Sequence, residues 1–283
     1  MEEKTDALTP LVTLYDAEQG QALSLPAELS ALYGPLRIPL HPGRTYTFAN
    51  FVTTLDGVVS LDAPGRSGGG EISGHSKHDR LVMGLLRSIA DAVVVGAGTL
   101  RSVPQHLWTA EYIFPPQEAA YRSLRHILGK SPEPLNVIVT ARGSLDLGLP
   151  VFQSEQIPAL IVTTMQGAAQ IRQPLPPSVR LEAIQETGHV TARSVLDAIS
   201  RAFRGHADMV LVEGGPHLIG DFYAEALLNE LFLTLAPQVA GRSKGDERPG
   251  LVEGKLFAPQ HPIWGRLIST KRAENHLFLR YAF

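Results

Sequence analysis

Residues 92–101 read Ala92-Val93-Val94-Val95-Gly96-Ala97-Gly98-Thr99-Leu100-Arg101. The first four residues form a short apolar run rich in β-branched side chains, which predicts a strand buried on both faces. Gly96 and Gly98 remove side chains where the chain leaves this strand, so a ligand can approach the backbone there. Thr99 can cap a following turn or donate a hydrogen bond to a phosphate. Strand ends of this kind bind nucleotides in open α/β sheets, although a purely structural turn fits the same residues.

The composition excludes several classes of protein. The chain has 283 residues, of which 44% are hydrophobic and 19% are charged, and its formal net charge is -3. This charge offers no basic footprint for nucleic acid and no polybasic patch for a membrane surface. The absence of cysteine excludes disulfides, thiolate catalysis and Cys-ligated zinc. The acidic N-terminus lacks the apolar core of a signal peptide, and no apolar run reaches the roughly 18 residues of a membrane span. We therefore expect a cytoplasmic protein.

Apolar strand patterns alternate with amphipathic helix patterns along most of the chain. This alternation predicts an α/β fold of three layers, in which helices cover both faces of a mostly parallel sheet. We expect an N-terminal extension over residues 1–44, packed on the core, and one domain over residues 45–283. The predicted strands are 45–54, a short one at 58–61, 92–95, 136–140, 159–164, 209–212, 230–235 and 276–281, and the predicted helices lie near 26–33 and at 76–89, 194–203 and 220–228. The last two strands follow each other without a long helix, so they are candidates for an antiparallel edge.

The helix at 76–89 carries an apolar stripe, and Ser76 with Asp79 suits an N-terminal cap. Arg87 near its end is interpreted as a surface residue that complements the helix dipole. His75 and His78 are placed on or before a solvated first turn. No metal-ligand spacing such as His-Glu-x-x-His occurs, so we expect no metal site.

A second glycine turn, Glu213-Gly214-Gly215, also follows a buried strand and precedes a helix pattern. Its backbone N–H groups favour an anion such as a pyrophosphate. Glu213 can accept hydrogen bonds from a sugar or an amine, although a tight turn with a solvated glutamate fits equally. Because two such turns at the ends of parallel strands can lie side by side, together they can hold one dinucleotide.

Two polar residues flank the first strand of the main domain. Asp56 follows it within Leu55-Asp56-Gly57, either as part of an ordinary turn or as a carboxylate facing substrate. Asn50 lies inside the strand and needs partners if buried, so it either binds substrate or cross-links strands. The Ser67-Gly68-Gly69-Gly70 run fits a flexible lid better than a phosphate loop, because no apolar strand precedes it. No Gly-x-Ser-x-Gly nucleophile occurs, so any chemistry must come largely from a cofactor.

Taken in order, these elements resemble one known family, the reductase domain of riboflavin biosynthesis, which has a dihydrofolate-reductase-like fold. The resemblance covers roughly residues 45–283, without the N-terminal extension and without the zinc deaminase domain often fused ahead of such reductases. The motifs that carry it are Asn50 with Thr54-Leu55-Asp56-Gly57, Leu86-Arg87 with Ala90-Asp91, Val95-Gly96-Ala97-Gly98-Thr99, Val137-Ile138-Val139-Thr140, Glu213-Gly214-Gly215, Asn229-Glu230-Leu231, Ala236-Pro237 with Gly241, and Leu279-Arg280-Tyr281.

The resemblance implies an NADPH-dependent reduction of 5-amino-6-(5-phosphoribosylamino)uracil or a similar pyrimidine to its ribitylamino product, with hydride delivered to the anomeric carbon of the sugar. It also implies a homodimer, since family members often pair through sheet edges. The implied cofactor-binding residues are Thr54, Gly96, Ala97, Gly98, Thr99, Thr140, Glu213, Gly214 and Gly215. Asn50, Asp56 and Glu213 are implied for substrate binding, and Asp56 is the candidate catalytic residue.

The chain departs from the family pattern directly after Thr99. The family usually continues with an acidic pair or Asp-Asn before proline, whereas this chain has Leu100-Arg101-Ser102-Val103-Pro104 and is a residue short. Arg101 can reach an adenosine 2′-phosphate, or it is a solvated surface residue. Because this loop helps to define the substrate side of the pocket, two alternatives remain. One is an NADPH reductase of another heterocyclic or carbonyl compound, and the other is a nucleotide-binding protein without turnover.

Overall fold

The protein is described by a computed structural model, which covers residues 8–61, 63, 68–184, 188–205, 207–243, 245 and 248–283. Within these residues the strands are β1 Val12–Asp16, β2 Gln21–Ala22, β3 Arg37–Ile38, β4 Tyr46–Thr53, β5 Ala92–Gly96, β6 Leu135–Thr140, β7 Ala159–Thr164, β8 Val179–Ile184, β9 Met209–Val212, β10 Glu230–Leu235, β11 Arg266–Ala273 and β12 His276–Ala282. The helices are α1 Ala27–Tyr33, α2 Gly69–Ile72, α3 Lys77–Ile89, α4 Ala97–Ser102, α5 Ala110–Ile113, α6 Glu118–Ile127, α7 Pro150–Gln153, α8 Met165–Ala168, α9 Ala192–Ala202 and α10 Pro216–Ala224, with a 3-10 turn at Pro115–Gln117.

Ten strands form one sheet in the order β1-β11-β12-β10-β4-β9-β5-β6-β7-β8. The seven strands from β10 to β8 are parallel to their neighbours, and β1, β11 and β12 continue the sheet in antiparallel fashion. This confirms the predicted α/β fold with a mostly parallel sheet. The carboxyl ends of β4, β9, β5 and β6 therefore open on the same edge.

Two apolar layers enclose the sheet. One face packs against α1, α3, α6 and α7 through buried side chains such as Leu29, Leu85 and Phe152. The other face packs against α9 and α10 through Val195 and Phe222. Every residue of β4, β6 and β7 is buried, because helices cover both faces of these strands.

The N-terminal segment contributes to both the sheet and the core. Its strand β1 pairs with β11 at the sheet edge, and Leu29 and Tyr33 of α1 lie in the main apolar cluster. The helix predicted near 26–33 is confirmed. The division into an extension at 1–44 and a domain at 45–283 stays a prediction, and the acidic residues at the very N-terminus lie outside the described residues.

The C-terminal strands differ from the prediction. β10 is parallel to β4, so only its other side begins the antiparallel part of the sheet. β12 is an interior strand between β10 and β11. Two strands were not predicted from the sequence: β11, which is rich in polar and charged residues, and β1, all five residues of which are exposed. Apolar and polar residues do not alternate regularly in either strand, so neither shows the two-residue period from which a half-buried strand is predicted.

Other boundaries moved for local reasons. Residues 58–61 form no strand, because the Val58 backbone folds back onto Thr53 and Thr54 through several hydrogen bonds. Helix α10 starts at Pro216, four residues before the prediction, since proline suits the first helical position. Thr191 caps α9 and starts it two residues early. The predicted glycine-rich lid is the run Ser67-Gly68-Gly69-Gly70. Ser67 lies outside the described residues, and α2 starts at Gly69. No helix among the described residues is both long and apolar enough to cross a membrane.

Candidate functional site

A cleft with a volume of about 1760 Å³ opens at the carboxyl ends of the central parallel strands. This exceeds the ~300–1,000 Å³ of an ordinary small-molecule pocket, so the cleft has room for a dinucleotide and a second ligand. The sequence-predicted residues that line the cleft are Asn50, Gly96, Ala97, Gly98, Thr99, Arg101, Thr140, Glu213, Gly214 and Gly215. Thr54 and Asp56 are not among the lining residues.

The two glycine turns meet in this cleft, as the sequence predicted. Gly96 N–H donates to the carbonyl of Gly214 at 2.8 Å. A side-chain carbon on Gly214 would lie 3.4 Å from Thr99 Oγ1, and one on Gly215 would lie 3.3 Å from the same atom. Gly214 also has a φ of +107°, a conformation that favours glycine. The backbone conformation therefore favours glycine at position 214, and a side chain at position 215 would make a tight contact with Thr99 Oγ1.

Helix α10 begins directly after this pair, with Gly215 at its N-cap and no side-chain cap. The N-terminus of a nine-residue helix thus faces the cleft between the two turns. Its free N–H groups and the positive end of its dipole favour an anionic group at that point.

The surface position predicted for Arg87 is wrong, because the structure buries its side chain. Its side chain is 1% exposed and that of Glu213 is 5% exposed. Arg87 Nη2 donates to Glu213 Oε2 at 2.8 Å, and its Nε donates to both carboxylate oxygens at 3.1 Å. The Glu213 carboxylate is therefore held by Arg87 rather than solvated, and any contact it makes to cofactor or substrate adds to this ion pair.

The same guanidinium holds the loop that departs from the family pattern. Arg87 Nη1 donates to the carbonyls of Leu107 and Thr109, and Nη2 donates to His106 Nε2 at 2.9 Å. All five N–H donors of Arg87 are thus used. Burial, together with the Arg87 charge, lowers the pKa of His106 to about 2. His106 is consequently neutral at physiological pH and accepts the hydrogen bond.

Asn136 of β6 fixes the end of this loop. Its Oδ1 accepts from the backbone N–H of Trp108 at 3.2 Å, and its Nδ2 donates to the Trp108 carbonyl at 3.3 Å. The loop without an acidic pair is therefore anchored from both α3 and β6.

Asp56 holds a turn next to the cleft. Its Oδ1 accepts from Thr54 Oγ1 at 2.6 Å and from Ala240 N–H at 3.1 Å, and its Oδ2 accepts from Gly241 N–H at 2.7 Å. These hydrogen bonds lower the pKa of Asp56 to about 2, and the hydrogen bond from the Thr54 hydroxyl has the largest effect. Thr54 is 1% exposed, and its hydroxyl also accepts from Val58 N–H. The two residues join the end of β4 to the segment after β10, and their proposed catalytic and cofactor roles stay predictions.

We expect Asp56→Asn to loosen this turn. Both oxygens of the Asp56 carboxylate accept hydrogen bonds, whereas an amide accepts them only through its oxygen. Turnover and the affinity for a dinucleotide cofactor should then fall together, by a similar factor, in steady-state kinetics and fluorescence titration. A matched control is Asp197→Asn, on the exposed face of α9, which should change neither quantity. A large loss of turnover with unchanged affinity for the cofactor would instead place the Asp56 carboxylate at the reacting centre.

Two further sequence-predicted residues, Thr140 and Arg101, line the cleft. Thr140 Oγ1 accepts from Gly143 N–H at 3.2 Å and so shapes the turn after β6. Arg101 is exposed, and its guanidinium lies near Gly98. Its contact with a 2′-phosphate stays a prediction. Arg142, His189 and Asp79 also line the cleft, and none of them was predicted as a site residue.

The solvated position predicted for His78 is also wrong. It is 3% exposed rather than solvated, and its Nε2 lies 2.9 Å from the carbonyl of Thr9. His75 is solvated as predicted. Ser76 Oγ accepts from Asp79 N–H at 3.3 Å, which confirms the predicted cap. The part of the chain that the structure describes contains no group of three or more His, Cys, Asp or Glu residues able to hold a metal ion.

Comparison with known proteins assigns the family. The sequence pattern of the RibD C-terminal domain matches residues 45–260 of this chain. The chain belongs to the RibD C-terminal domain family. This confirms the resemblance inferred from the motifs, and with it the prediction of an enzyme.

A curated relative supports the same family. The chain is 25% identical, over 214 residues, to the 2,5-diamino-6-ribosylamino-4(3H)-pyrimidinone 5′-phosphate reductase of Archaeoglobus fulgidus. The match covers 76% of this chain and 89% of that protein.

Solved structures show the fold. A pyrimidine reductase-like protein from Corynebacterium diphtheriae superimposes with a TM-score of 0.66 at 19% identity, over 90% of this chain and 97% of that one. A diaminohydroxyphosphoribosylaminopyrimidine deaminase/5-amino-6-(5-phosphoribosylamino)uracil reductase from Thermotoga maritima gives a TM-score of 0.60 at 20% identity. That match covers 84% of this chain, which spans 56% of the length of the Thermotoga protein.

Proposed function

We propose that this protein is an NADPH-dependent reductase of a phosphoribosylaminopyrimidine in riboflavin biosynthesis. The family assignment and the reductase named in Archaeoglobus support this proposal. The observation that carries it is the cleft in which the Gly96 and Gly214 turns meet, because its volume and its backbone-lined floor suit a dinucleotide beside a second ligand. We expect the protein to act in the cytoplasm.

The cleft residues fit the cofactor. Gly96, Gly98, Gly214 and Gly215 leave the floor free of side chains, so a pyrophosphate can approach the backbone. The N-terminus of α10 offers N–H donors to the same group. When bound, NADPH supplies a hydride. Arg101 is the proposed partner of its 2′-phosphate.

In the proposed reaction, a C–H bond forms at C1′ of the ribose, the bond from C1′ to the ring oxygen breaks, and that oxygen takes up a proton. The chain provides orientation and electrostatics for this step. The Arg87–Glu213 ion pair fixes the β9–α10 turn against α3, so the cleft floor does not shift. Asn50 is 7% exposed and lines the cleft on the α3 side, where its amide can orient the pyrimidine.

Two pyrimidines are candidates. The motif resemblance implies the aminouracil substrate, whereas the Archaeoglobus relative is named for the diaminopyrimidinone. They differ at C2, where the first has a carbonyl and the second an amino group.

We expect purified protein to oxidise NADPH with at least one of the two pyrimidines, followed by absorbance at 340 nm. Mass spectrometry should show a product two mass units heavier than the substrate, and the gene should restore growth of a reductase-deficient riboflavin auxotroph. NADH in place of NADPH serves as the cofactor control. Tight NADPH binding without oxidation across both pyrimidines would contradict the proposal and favour a non-catalytic nucleotide-binding protein.

An alternative substrate follows from the loop at residues 101–108. Arg87 and Asn136 hold this loop at His106 and Trp108, and its residues Arg101–Val103 line the cleft without the acidic pair that the family usually has. This favours another heterocyclic or carbonyl compound as the second candidate. A homodimer also stays a prediction, to be checked by light scattering; the interior position of β12 leaves β1 and β8 as the sheet edges.

A further inference from the structure

The contact between Arg87 and His106 fixes where the His106 ring carries its proton. His106 Nε2 lies 2.9 Å from Arg87 Nη2. A guanidinium nitrogen can only donate a hydrogen bond, so His106 Nε2 must accept it and has no proton of its own. The ring is therefore neutral, and its single proton is on Nδ1. Arg87 thus gives His106 one fixed tautomer, with an N–H donor at Nδ1.

This Nδ1 donor is not used by the part of the chain that the structure describes. Within that part, the only hydrogen bond to the His106 ring is the one from Arg87. Nδ1 is also not one of the buried polar atoms that lack a partner, so it stays accessible. His106 is half-buried and lines the cleft. A ligand in the cleft can therefore reach a donor that the fold leaves available.

Two aromatic neighbours hold the His106 ring in place. Its centroid lies 5.1 Å from that of Trp108 and 4.7 Å from that of Tyr112. The Tyr112 hydroxyl in turn donates to the carbonyl of Gln105 at 3.1 Å, within the same loop. With Arg87 bound at Nε2, the ring cannot turn without losing a hydrogen bond. A donor held in this way costs a ligand little ordering entropy when it binds.

The cleft wall around His106 is mostly apolar. Met83, Val103, Trp108 and Ile113 line the cleft together with His106. The nearest cation is Arg87, and its five N–H donors are all engaged with Glu213, His106 and two backbone carbonyls. A phosphate prefers charged donors, whereas a single neutral donor in an apolar wall suits an uncharged acceptor. A carbonyl oxygen on a flat ring is such an acceptor.

Resting on the proposed function, we propose that the Nδ1–H of His106 faces the cleft and donates a hydrogen bond to a ring carbonyl oxygen of the heterocyclic substrate. Arg87 is the positioning residue that fixes this donor. The loop without the acidic pair thus presents a donor to the ligand instead of carboxylate acceptors. A heterocycle with an amino group at that place is rejected, because two donors then face each other and the His106 N–H stays unpaired.

Both candidate pyrimidines have a carbonyl at C4, so this role of His106 holds for either of them. The test therefore uses two free bases that differ at C4. The first, 2,5,6-triaminopyrimidin-4-one, has the carbonyl, and the second, 2,4,5,6-tetraaminopyrimidine, has an amino group instead. Calorimetry with the full-length protein and NADP⁺ should show about tenfold tighter binding of the first base. Equal affinity, or binding of neither base, overturns the proposal.

The wild-type protein also reports the tautomer directly. In nitrogen NMR spectra of protein with ¹⁵N-labelled histidine, the His106 signals are identified by their loss in His106→Gln. They should show a protonated Nδ1 and an unprotonated Nε2. Saturation with the triamino base should shift the Nδ1 signal. A proton on Nε2, or an Nδ1 signal that the base does not move, overturns the proposal even if no variant folds.

Two substitutions separate the two nitrogens of His106. In His106→Gln the amide oxygen can take the place of Nε2 and still accept from Arg87, but the donor at Nδ1 is lost. In His106→Asn the amide nitrogen can replace the Nδ1 donor, but the acceptor for Arg87 is lost. The glutamine variant should therefore keep its melting temperature and bind the two bases within about twofold of each other. The asparagine variant should melt at a lower temperature and keep the preference for the carbonyl base.

The matched control is His126→Gln, at an exposed position on α6, which should change neither quantity. The proposal is overturned if His106→Gln keeps the preference, or if His106→Asn loses it as fully as His106→Gln does. These outcomes are distinct from those for the proposed function. If the protein oxidises NADPH with neither ribosyl phosphate, the proposed reaction fails, whereas base binding still decides the role of His106.

Discussion

Arg87→Met is expected to lower the free energy of unfolding by about 3–5 kcal/mol, because it leaves the Glu213 carboxylate buried without its cation. The variant also removes the donors to Leu107 and Thr109, which releases the loop after α4. For a chain of this size, the melting temperature should fall by roughly 6–20 °C. NADPH affinity should fall as well, since Glu213 precedes the Gly214-Gly215 turn. Calorimetry and cofactor titration measure the two effects.

The double variant Arg87→Met/Glu213→Gln tests the cause. Removing both charges should recover a large part of the lost stability, because no unpaired charge then remains buried. The control is Arg201→Gln, whose 53% exposed side chain forms an ion pair with the 33% exposed Glu182. Such a pair contributes at most about 1 kcal/mol. If Arg87→Met were as mild as Arg201→Gln, the ion pair would not hold the cleft floor.

Arg280→Met is the second substitution with a large expected effect, about 3–5 kcal/mol on unfolding. Arg280 on β12 is 2% exposed and contacts two carboxylates. Its Nη2 donates to both oxygens of Glu230 at 2.9 and 2.8 Å. Its Nη1 lies 2.6 Å from Glu18 Oε1, an ion contact that is not aligned as a hydrogen bond. The substitution would leave two buried carboxylates without their common cation.

The Arg280 network ties the N-terminal segment to the sheet, so its loss should release that segment. Hydrogen exchange of the amides in β1 and α1 should rise in Arg280→Met well before the exchange of β5 and β6. Arg201→Gln, which breaks an exposed pair with Glu182, is the matched control. Uniform exchange across the sheet would show that residues 8–44 unfold only with the rest of the protein.

The parallel strands of the sheet were predictable because of their sequence pattern. β5, β6, β7 and β9 are continuous apolar runs, and each was placed within one residue of its observed bounds. The polar strand β11 was not predictable from periodicity. It buries Ser269 and Lys271, which only its neighbours in the sheet explain.

The part of the candidate site that consists of backbone, the two glycine turns, was predictable from the sequence. The glycine turns carry a local signal, and their meeting follows from the adjacency of parallel strand ends. Arg87 belongs to the Leu86-Arg87 motif of the resemblance, but neither its local sequence nor that of Asp79 indicates its partners in the site. The partner of Arg87 lies 126 positions away, and Asp79 shows only the pattern of a helix cap. Side chains that act through distant partners are therefore the part of the site that local sequence does not reveal.

The position of β4 has a consequence for synthesis of the chain. β4 pairs with β9 on one side and β10 on the other, and Thr53 meets Leu235 about 180 positions later. At a translation rate of about 5–20 residues per second, β4 leaves the ribosome roughly 10–40 s before its partners exist. All eight of its residues are buried in the finished fold. The nascent chain therefore carries this strand without either of its neighbouring strands for most of its synthesis.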